Sequence, residues 1–162
     1  EDGWLRTGDV GFLDADGYLV ITDRKKDLMK TSGGKYVAPQ ALENRLVASP
    51  LIAQAVVVGD GRKFPAALIV PNFEALRRYA EAQGMPFREP YQLCAHPKIQ
   101  RLYEEEVERL MADFSPHERV KRIALLEREL TIAAGELTPT LKVRRRIIEE
   151  KYRDIIERLY AE

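Results

Sequence analysis

The chain has 162 residues, of which 45% are apolar and 32% charged, and its 26 basic and 26 acidic residues cancel. This composition excludes an intrinsically disordered chain, and zero net charge provides no overall field to attract nucleic acid or an anionic membrane. No apolar run reaches the roughly 18 residues that would cross a bilayer. The single cysteine, Cys94, cannot form an internal disulfide, and with His96 and His117 it lacks metal-ligand spacing. We therefore assign no metal site and predict a cytoplasmic protein.

The chain begins with a predicted hairpin and connector. Residues 10–23 alternate apolar and polar side chains around the Asp-Ala-Asp-Gly sequence at 14–17, which is typical of a β-hairpin turn. Residues 24–30 are charged and then apolar without helical periodicity, and residues 31–35 form a glycine turn. This region is predicted to be a connector between the hairpin and the rest of the chain, followed by a glycine turn.

A helix between strands is predicted next. Pro39 suits the first turn of a helix, and Pro50 ends it. The β-branched run 52–58 and the apolar run 66–70 predict two buried strands joined by a turn.

Helices dominate the prediction from Asn72 onwards. Asn72 can cap a helix that stops at Gly84. Apolar residues at three- and four-residue steps predict a long amphipathic helix over 97–114. The Ser-Pro-His-Glu sequence at 115–118 has capping-box spacing and predicts a further short helix.

The last part of the chain completes an α+β fold. Residues 123–126 predict a third strand, 133–140 a loop, and 147–159 one C-terminal helix. The predicted architecture is a hairpin and hinge, then a small mixed sheet of about three strands packed by helices.

Three segments combine charge, glycine and proline where a core would not require them. In the first, Trp4-Leu5-Arg6-Thr7-Gly8-Asp9, a carboxylate after a glycine can accept hydrogen bonds from both hydroxyls of a ribose. The alternative interpretation is an ordinary Thr-Gly-Asp turn.

The second segment joins Asp23-Arg24-Lys25-Lys26-Asp27 to the glycine turn. Arginine offers fixed donors for a ribose or phosphate, and paired glycines let a ligand approach the backbone. A solvated charge run before a turn remains the alternative.

The third segment, 135–146, places Lys142 at the end of a loop stiffened by proline and threonine. A cation delivered from a loop could stabilise charge that develops on a carboxylate or phosphate. The alternative is a basic helix start, although positive side chains oppose the helix dipole there.

Together and in this order, WLRTGD, DRKKDLMKTSGGKYVAP and GELTPTLKVRR resemble the C-terminal third of the AMP-forming acyl-CoA synthetases. This superfamily includes firefly luciferase and the nonribosomal-peptide adenylation domains. The resemblance covers nearly the whole chain. The last two motifs, with the helical stretch between Asn72 and Glu118, are most similar to the long-chain fatty acid-CoA ligase branch.

The resemblance implies an acid-thiol ligase with two half-reactions. ATP, accompanied by Mg²⁺, activates the fatty acid as acyl-adenylate, and CoA as co-substrate then displaces AMP. By this resemblance Asp9 holds the ribose hydroxyls, Arg24 contacts the same nucleotide, and Lys142 reaches the substrate carboxylate and phosphate in the first half-reaction.

The resemblance also implies a moving domain. Lys26 would be the hinge, with residues 1–25 ending a large N-terminal domain and 26–162 forming a mobile lid. Gly33, with Ser32 and Gly34 beside it, would line the pantetheine channel in the second half-reaction. The N-terminal domain of the same chain is then the main partner.

The chain is therefore expected to be a fragment that is inactive alone, since it starts without Met and contains no Ser/Thr/Gly-rich phosphate loop, adenine pocket or acyl tunnel. Membrane association, peripheral to the inner membrane, is left open only for a full-length enzyme. Three rival hypotheses remain: a module that binds nucleic acid or an acidic partner through RKK and KVRRR, a non-catalytic helical interaction domain, and the lid of an adenylate-forming ligase for a different acid. Zero net charge disfavours a nucleic acid partner.

Overall fold

The structure is a computed structural model that describes residues 3–161, apart from the side chains of Thr22, Asp23 and Lys26. Within these residues the strands are β1 Asp9–Leu13, β2 Leu19–Arg24, β3 Met29–Lys30, β4 Tyr36–Val37, β5 Ile52–Val58, β6 Ala66–Pro71 and β7 Arg122–Leu125. The α-helices are α1 Pro39–Val47, α2 Phe73–Ala82, α3 Pro97–Met111, α4 Arg145–Lys151 and α5 Arg153–Tyr160. Short 3-10 turns span Lys25–Asp27 and Pro90–Ala95.

The predicted hairpin is formed by β1 and β2. The strands pair antiparallel, and Asp14 Oδ1 accepts hydrogen bonds from the backbone of Asp16 and Tyr18 across the turn. Gly17 has φ of 86°, which a residue with a Cβ rarely adopts. The turn residues predicted from the sequence therefore close the hairpin.

The core is built on a three-stranded sheet in the order β5-β6-β7. β5 and β6 are antiparallel, whereas β6 and β7 are parallel, so the sheet is mixed as predicted. Alternate residues of the strands enter two apolar clusters, as the two-residue period of a strand requires. One cluster contains Val57 with buried residues of α1, α2 and α3, and the other contains Val56 with buried residues of α4 and α5. Helices thus cover both faces of the sheet, and the α+β prediction is confirmed.

The middle helices follow their sequence signals. Asn72 Oδ1 accepts the backbone N–H of Ala75 at 3.2 Å and caps α2, and Gly84 follows with φ of 65°. The long helix α3 buries five residues, Ile99, Tyr103, Val107, Leu110 and Met111.

Two predicted elements differ in the structure. Residues 115–118 form a turn and not a helix: the Glu118 side chain accepts the Ser115 N–H at 3.2 Å, but Arg119 then bonds to the carbonyls of Ala112 and Phe114 at the end of α3. The chain must also reach β7 within a few residues, which leaves no room for a helix. The C-terminal helix is two helices, because the backbone of Tyr152 leaves helical geometry at φ −104° and ψ 20°.

Candidate functional site

The hairpin brings Asp9 and Arg24 together. They are cross-strand partners in the β1–β2 register, and Arg24 Nε lies 3.6 Å from Asp9 Oδ1. Lys25 N also donates to Gly8 O at 2.8 Å, which ties the connector to the first motif. Two residues that the sequence analysis assigned to one nucleotide, and that are far apart in sequence, therefore form one carboxylate–guanidinium pair.

Lys142 projects on a small hairpin-like loop. Leu137 and Val143 form an antiparallel bridge at its base, and Thr138 N donates to Lys142 O at 2.8 Å. Lys142 N donates in turn to Thr138 Oγ1 at 3.1 Å, and the side chain of Lys142 is exposed. Leu141, just before it, has φ of 62°, an uncommon conformation for a residue with a Cβ. The loop thus presents an exposed ammonium group from a defined backbone.

Arg24 and Lys142 line the same cleft, which has a volume of about 870 Å³. The cleft also contains the carboxyl group of Glu149, whose pKa is raised by burial, with Asp60 adding to the shift and Arg145 opposing it. Cationic and carboxylate side chains therefore line one concavity.

The glycine turn lies elsewhere and is tightly bonded. Gly34 N donates to Thr31 O at 2.8 Å, and Lys35 N donates to the buried hydroxyl of Thr31 at 3.2 Å. Ser32 N donates to Arg62 O at 2.8 Å, so the turn rests on the β5–β6 connection. The short strands β3 and β4, which the sequence analysis did not predict, flank it. None of residues 31–35 is among the described residues that line the cleft of Lys142.

The two glycines of this turn have different physical requirements. Gly34 has φ of 78°, so the backbone itself demands glycine. Gly33 is not in the left-handed region, and a Cβ added there would meet only Thr31 Oγ1, at 3.9 Å. Nothing within the described chain explains why residue 33 lacks a side chain, and a close approach by another molecule would.

A family model described as the AMP-binding enzyme C-terminal domain matches residues 26–162. The chain belongs to this family. The resemblance stated from the three motifs is thereby confirmed.

Relatives and solved structures agree with this family. A long-chain-fatty-acid–CoA ligase of Mycobacterium tuberculosis is 40% identical over 163 residues, which cover 98% of this chain and 27% of that protein. The adenylation domain of a carboxylate reductase from Mycobacterium chelonae superposes with a TM-score of 0.78 at 28% identity, covering 100% of this chain and 24% of that one. The A-PCP didomain of a carboxylic acid reductase from Segniliparus rugosus, in complex with AMP, superposes with a TM-score of 0.76 at 27% identity. The match covers 99% of this chain and 21% of that one. The chain thus spans about a quarter of the length of the curated relative.

Within this AMP-binding C-terminal domain, the basic run after Lys142 is held by internal contacts. Arg144 donates to Gly135 O at 3.3 Å, and Arg146 Nε lies 3.4 Å from Glu150. Arg145 Nη1 donates to Glu43 Oε1 at 2.7 Å and to the carbonyl of Val57. Arg145, whose charge opposes the dipole of α4, therefore links α4 to α1 and β5. These contacts are a structural reason for a positive charge that the sequence analysis had taken as a sign of function.

The sequence analysis missed Glu136. Among the described residues it is the one charged side chain that is fully buried, and it accepts two hydrogen bonds from Arg128, at 2.5 and 3.0 Å. Burial opposes its ionisation, but Arg128, the Thr131 N–H and Lys151 together lower the pKa of Glu136 to about 2. The only available signal was its position in the GELTPT motif, because its partners lie 5 to 16 residues away on both sides and follow no periodic pattern.

The remaining candidates do not form a reactive group. Cys94 is buried, and burial raises the pKa of its thiol to about 11, so the thiol is protonated near neutral pH. His96 Nδ1 accepts the backbone N–H of Lys98 at 3.1 Å and caps α3. Within residues 3–161, no three histidine, cysteine or acidic side chains gather as metal ligands. No helix in the described part of the chain is long and apolar enough to cross a membrane.

Proposed function

We propose that this domain is the C-terminal lid of an AMP-forming long-chain fatty acid–CoA ligase. The whole enzyme would use ATP, with Mg²⁺, to convert a fatty acid to acyl-adenylate and would then transfer the acyl group to CoA. The observation that carries the proposal is the 40% identity to a long-chain-fatty-acid–CoA ligase across 98% of the chain. The cytoplasm, where both ATP and CoA are available, is the proposed location.

In the first half-reaction, the cleft shared by Arg24 and Lys142 would face the nucleotide and the acid. Asp9 would accept the ribose hydroxyls, and Arg24, already within 3.6 Å of Asp9, would contact the same nucleotide. The exposed ammonium of Lys142 would bridge the carboxylate and the phosphate as negative charge redistributes between them. Such a donor stabilises the transition state more than the separate substrates.

In the second half-reaction, the glycine turn would line the path of the CoA pantetheine arm. Residues 26–162 would turn about Lys26 between the two steps, a division that is supported by the start of the family match at residue 26. The alternation is consistent with the lining of the Lys142 cleft, which does not include residues 31–35.

The proposed activity is tested by incubating the full-length ligase with ATP, Mg²⁺, CoA and a series of fatty acids from short to long. Acyl-CoA should form, with one AMP and one pyrophosphate per product, and mass spectrometry should detect acyl-adenylate when CoA is omitted. An enzyme that adenylates only aromatic or amino acids would contradict the fatty acid assignment.

The likeness to the A-PCP didomain favours a second candidate, in which the acyl acceptor is a pantetheine thiol on a carrier domain. The same acyl-adenylate preparation decides between the two. Consumption accelerated by CoA supports the ligase, whereas consumption accelerated only by a pantetheinylated carrier domain supports the alternative.

Gly33→Ala in the full-length ligase is expected to slow thioester formation roughly tenfold, because an added methyl group in a close-fitting channel costs about 1 to 3 kcal/mol. Adenylation and thermal stability should stay near wild type, since the folded chain has room for this methyl group. Single-turnover conversion of supplied acyl-adenylate, pyrophosphate exchange and a thermal melt measure the three quantities.

Gly34→Ala is the matched variant in the same turn. Its positive φ should cost roughly 1 to 2 kcal/mol of stability, which Gly33→Ala should not. If Gly33→Ala were as destabilised as Gly34→Ala, or slowed both half-reactions equally, residue 33 would have a structural role and no place in the CoA channel.

A further inference from the structure

Glu136 is the buried centre of an ion cluster at the base of the Lys142 loop, whose cationic members are partly exposed. Arg128 binds its carboxylate with both terminal nitrogens, and Lys151 Nζ lies 3.5 Å from Oε1. Tyr152 Oη donates to the same oxygen at 3.2 Å, and Thr131 N donates to Oε2 at 3.0 Å. The donors come from the segment before the loop and from the helices after it, so this carboxylate joins three separate parts of the chain.

The backbone of Glu136 closes the base of the loop that carries Lys142. Arg144 N donates to Glu136 O at 2.8 Å, immediately outside the bridge between Leu137 and Val143. Glu136 N donates to Thr131 O at 3.1 Å on the other side. Glu136, whose carboxylate is fixed in the interior, therefore also supplies backbone hydrogen bonds at the base of the loop that carries Lys142.

The donors around residue 136 suit the carboxylate of glutamate and suit the amide of glutamine poorly. Every hydrogen-bonding partner of the two oxygens is a donor, and an amide nitrogen in place of one oxygen would face either an arginine N–H or a backbone N–H. One end of Glu136 would then lose its partners in a buried place, where an unpaired polar group is costly. The loop base would shift to separate the two donors.

We propose that Glu136 is a positioning residue for Lys142, holding the base of its loop so that the ammonium group points into the cleft shared with Arg24. The proposal rests on the proposed role of Lys142 in adenylation. Glu136 itself, being fully buried, touches no substrate.

A double-mutant cycle in the full-length ligase tests this positioning role. Glu136→Gln alone should lower the rate constant of acyl-adenylate formation by roughly ten- to a hundredfold, the cost of a small misplacement of a catalytic group. Conversion of supplied acyl-adenylate to acyl-CoA should be unchanged. In the Lys142→Ala background, Glu136→Gln should change adenylation by less than about twofold, because the group that it positions is already gone.

A second pair of variants avoids dependence on the folding of Glu136→Gln. Arg128→Gln removes the bidentate contact from a 53% exposed side chain and leaves the Glu136 carboxylate with Lys151, Tyr152 and the Thr131 N–H as donors. A thermal melt must show that this variant is folded, because the carboxylate stays buried with less compensating charge. Like Glu136→Gln, Arg128→Gln should slow acyl-adenylate formation and leave thioester formation unchanged. In the Lys142→Ala background it should have no further effect on adenylation. Arg77→Gln is the matched control, since Arg77 pairs with Glu74 and Glu81 on the exposed side of α2, and it should leave both half-reactions unchanged.

The possible results separate two failures. If Lys142→Ala slows adenylation but Glu136→Gln and Arg128→Gln do not, the positioning role is wrong and the proposed function stands. The positioning role would also be wrong if Glu136→Gln slowed adenylation equally in the wild-type and Lys142→Ala backgrounds. It would be wrong as well if Glu136→Gln slowed adenylation and thioester formation equally. If Lys142→Ala itself has no effect on adenylation, the proposed role of Lys142 in that step is wrong. The positioning role of Glu136 is then wrong too, because it depends on the role of Lys142.

Discussion

Lys142→Ala in the proposed full-length ligase is expected to slow acyl-adenylate formation by roughly two to three orders of magnitude, the usual cost of removing one transition-state donor. The ammonium group is exposed at the end of a rigid loop and lines the cleft that contains Arg24. Conversion of supplied acyl-adenylate to acyl-CoA should be nearly unaffected, because the acid and the phosphate have already been joined. Pyrophosphate exchange and single-turnover thioester formation measure the two steps separately.

Lys98→Ala is the matched control for this loss. Lys98 is an exposed lysine in the first turn of α3 and is not among the residues that line the cleft. It removes the same charge from the protein, so a long-range effect of net charge would lower adenylation in both variants. Two rates of Lys142→Ala are compared with wild type: acyl-CoA formation from supplied acyl-adenylate, and acyl-CoA formation from fatty acid and ATP. If both rates fell by the same factor, the assignment of Lys142 to the first half-reaction would be wrong.

Local signals in the sequence predicted the central elements well. The strand over 52–58 matches β5 Ile52–Val58, and Asn72 and Gly84 bound α2 as their capping chemistry requires. In these cases the residues that determine the element lie inside it or directly beside it. Hydrophobic period and caps were therefore sufficient.

The elements that were missed depend on side-chain contacts that no periodic or capping pattern encodes. The capping-box spacing at Ser115 was real, but Arg119 caps α3 and the chain turns towards β7 instead of forming a helix. The C-terminal helix breaks at Tyr152, whose hydroxyl group bonds to Glu136. Arg119 lies only five to seven residues from the carbonyls that it binds, but no periodicity or capping pattern indicates that its side chain turns back to α3. The partner of Tyr152 lies 16 residues away and belongs to no helical pattern.

The residues of the candidate site also divide into those that could be predicted from the sequence and those that could not. Asp9, Arg24 and Lys142 could be named from motifs, and the structure places Asp9 beside Arg24 and places Arg24 in one cleft with Lys142. Glu136 could not be named, since a glutamate in a loop is usually solvated and its burial depends on four donor residues from the segments before and after the loop. Motifs locate groups that would meet a ligand, whereas the groups that hold them in place appear only in the folded chain.

Lys26→Pro in the full-length ligase is expected to separate the two half-reactions, preserving adenylation and greatly slowing thioester formation. Lys26 lies in the 3-10 turn Lys25–Asp27, between extended residues on either side. Proline fixes φ near −65°, a value that residue 26 keeps in a 3-10 turn, whereas Lys25 in the same turn must adjust because helical geometry is disfavoured before a proline. We expect the arrangement with Arg24 and Lys142 in one cleft to survive this local adjustment. Rotation about this residue would require a different φ, which the ring forbids.

Lys26→Ala is the control that distinguishes backbone from side chain, because alanine removes the lysine side chain but leaves φ and ψ free. It should retain both half-reactions. The proline ring also crowds Lys25, so a thermal melt of the same preparation must show a folded protein before the rates are compared. Equal loss of both rates in folded Lys26→Pro, or no loss of either, would place the pivot elsewhere or remove the need for a rotation. Loss of thioester formation in Lys26→Ala as well would assign the effect to the side chain, and the backbone pivot would then be wrong.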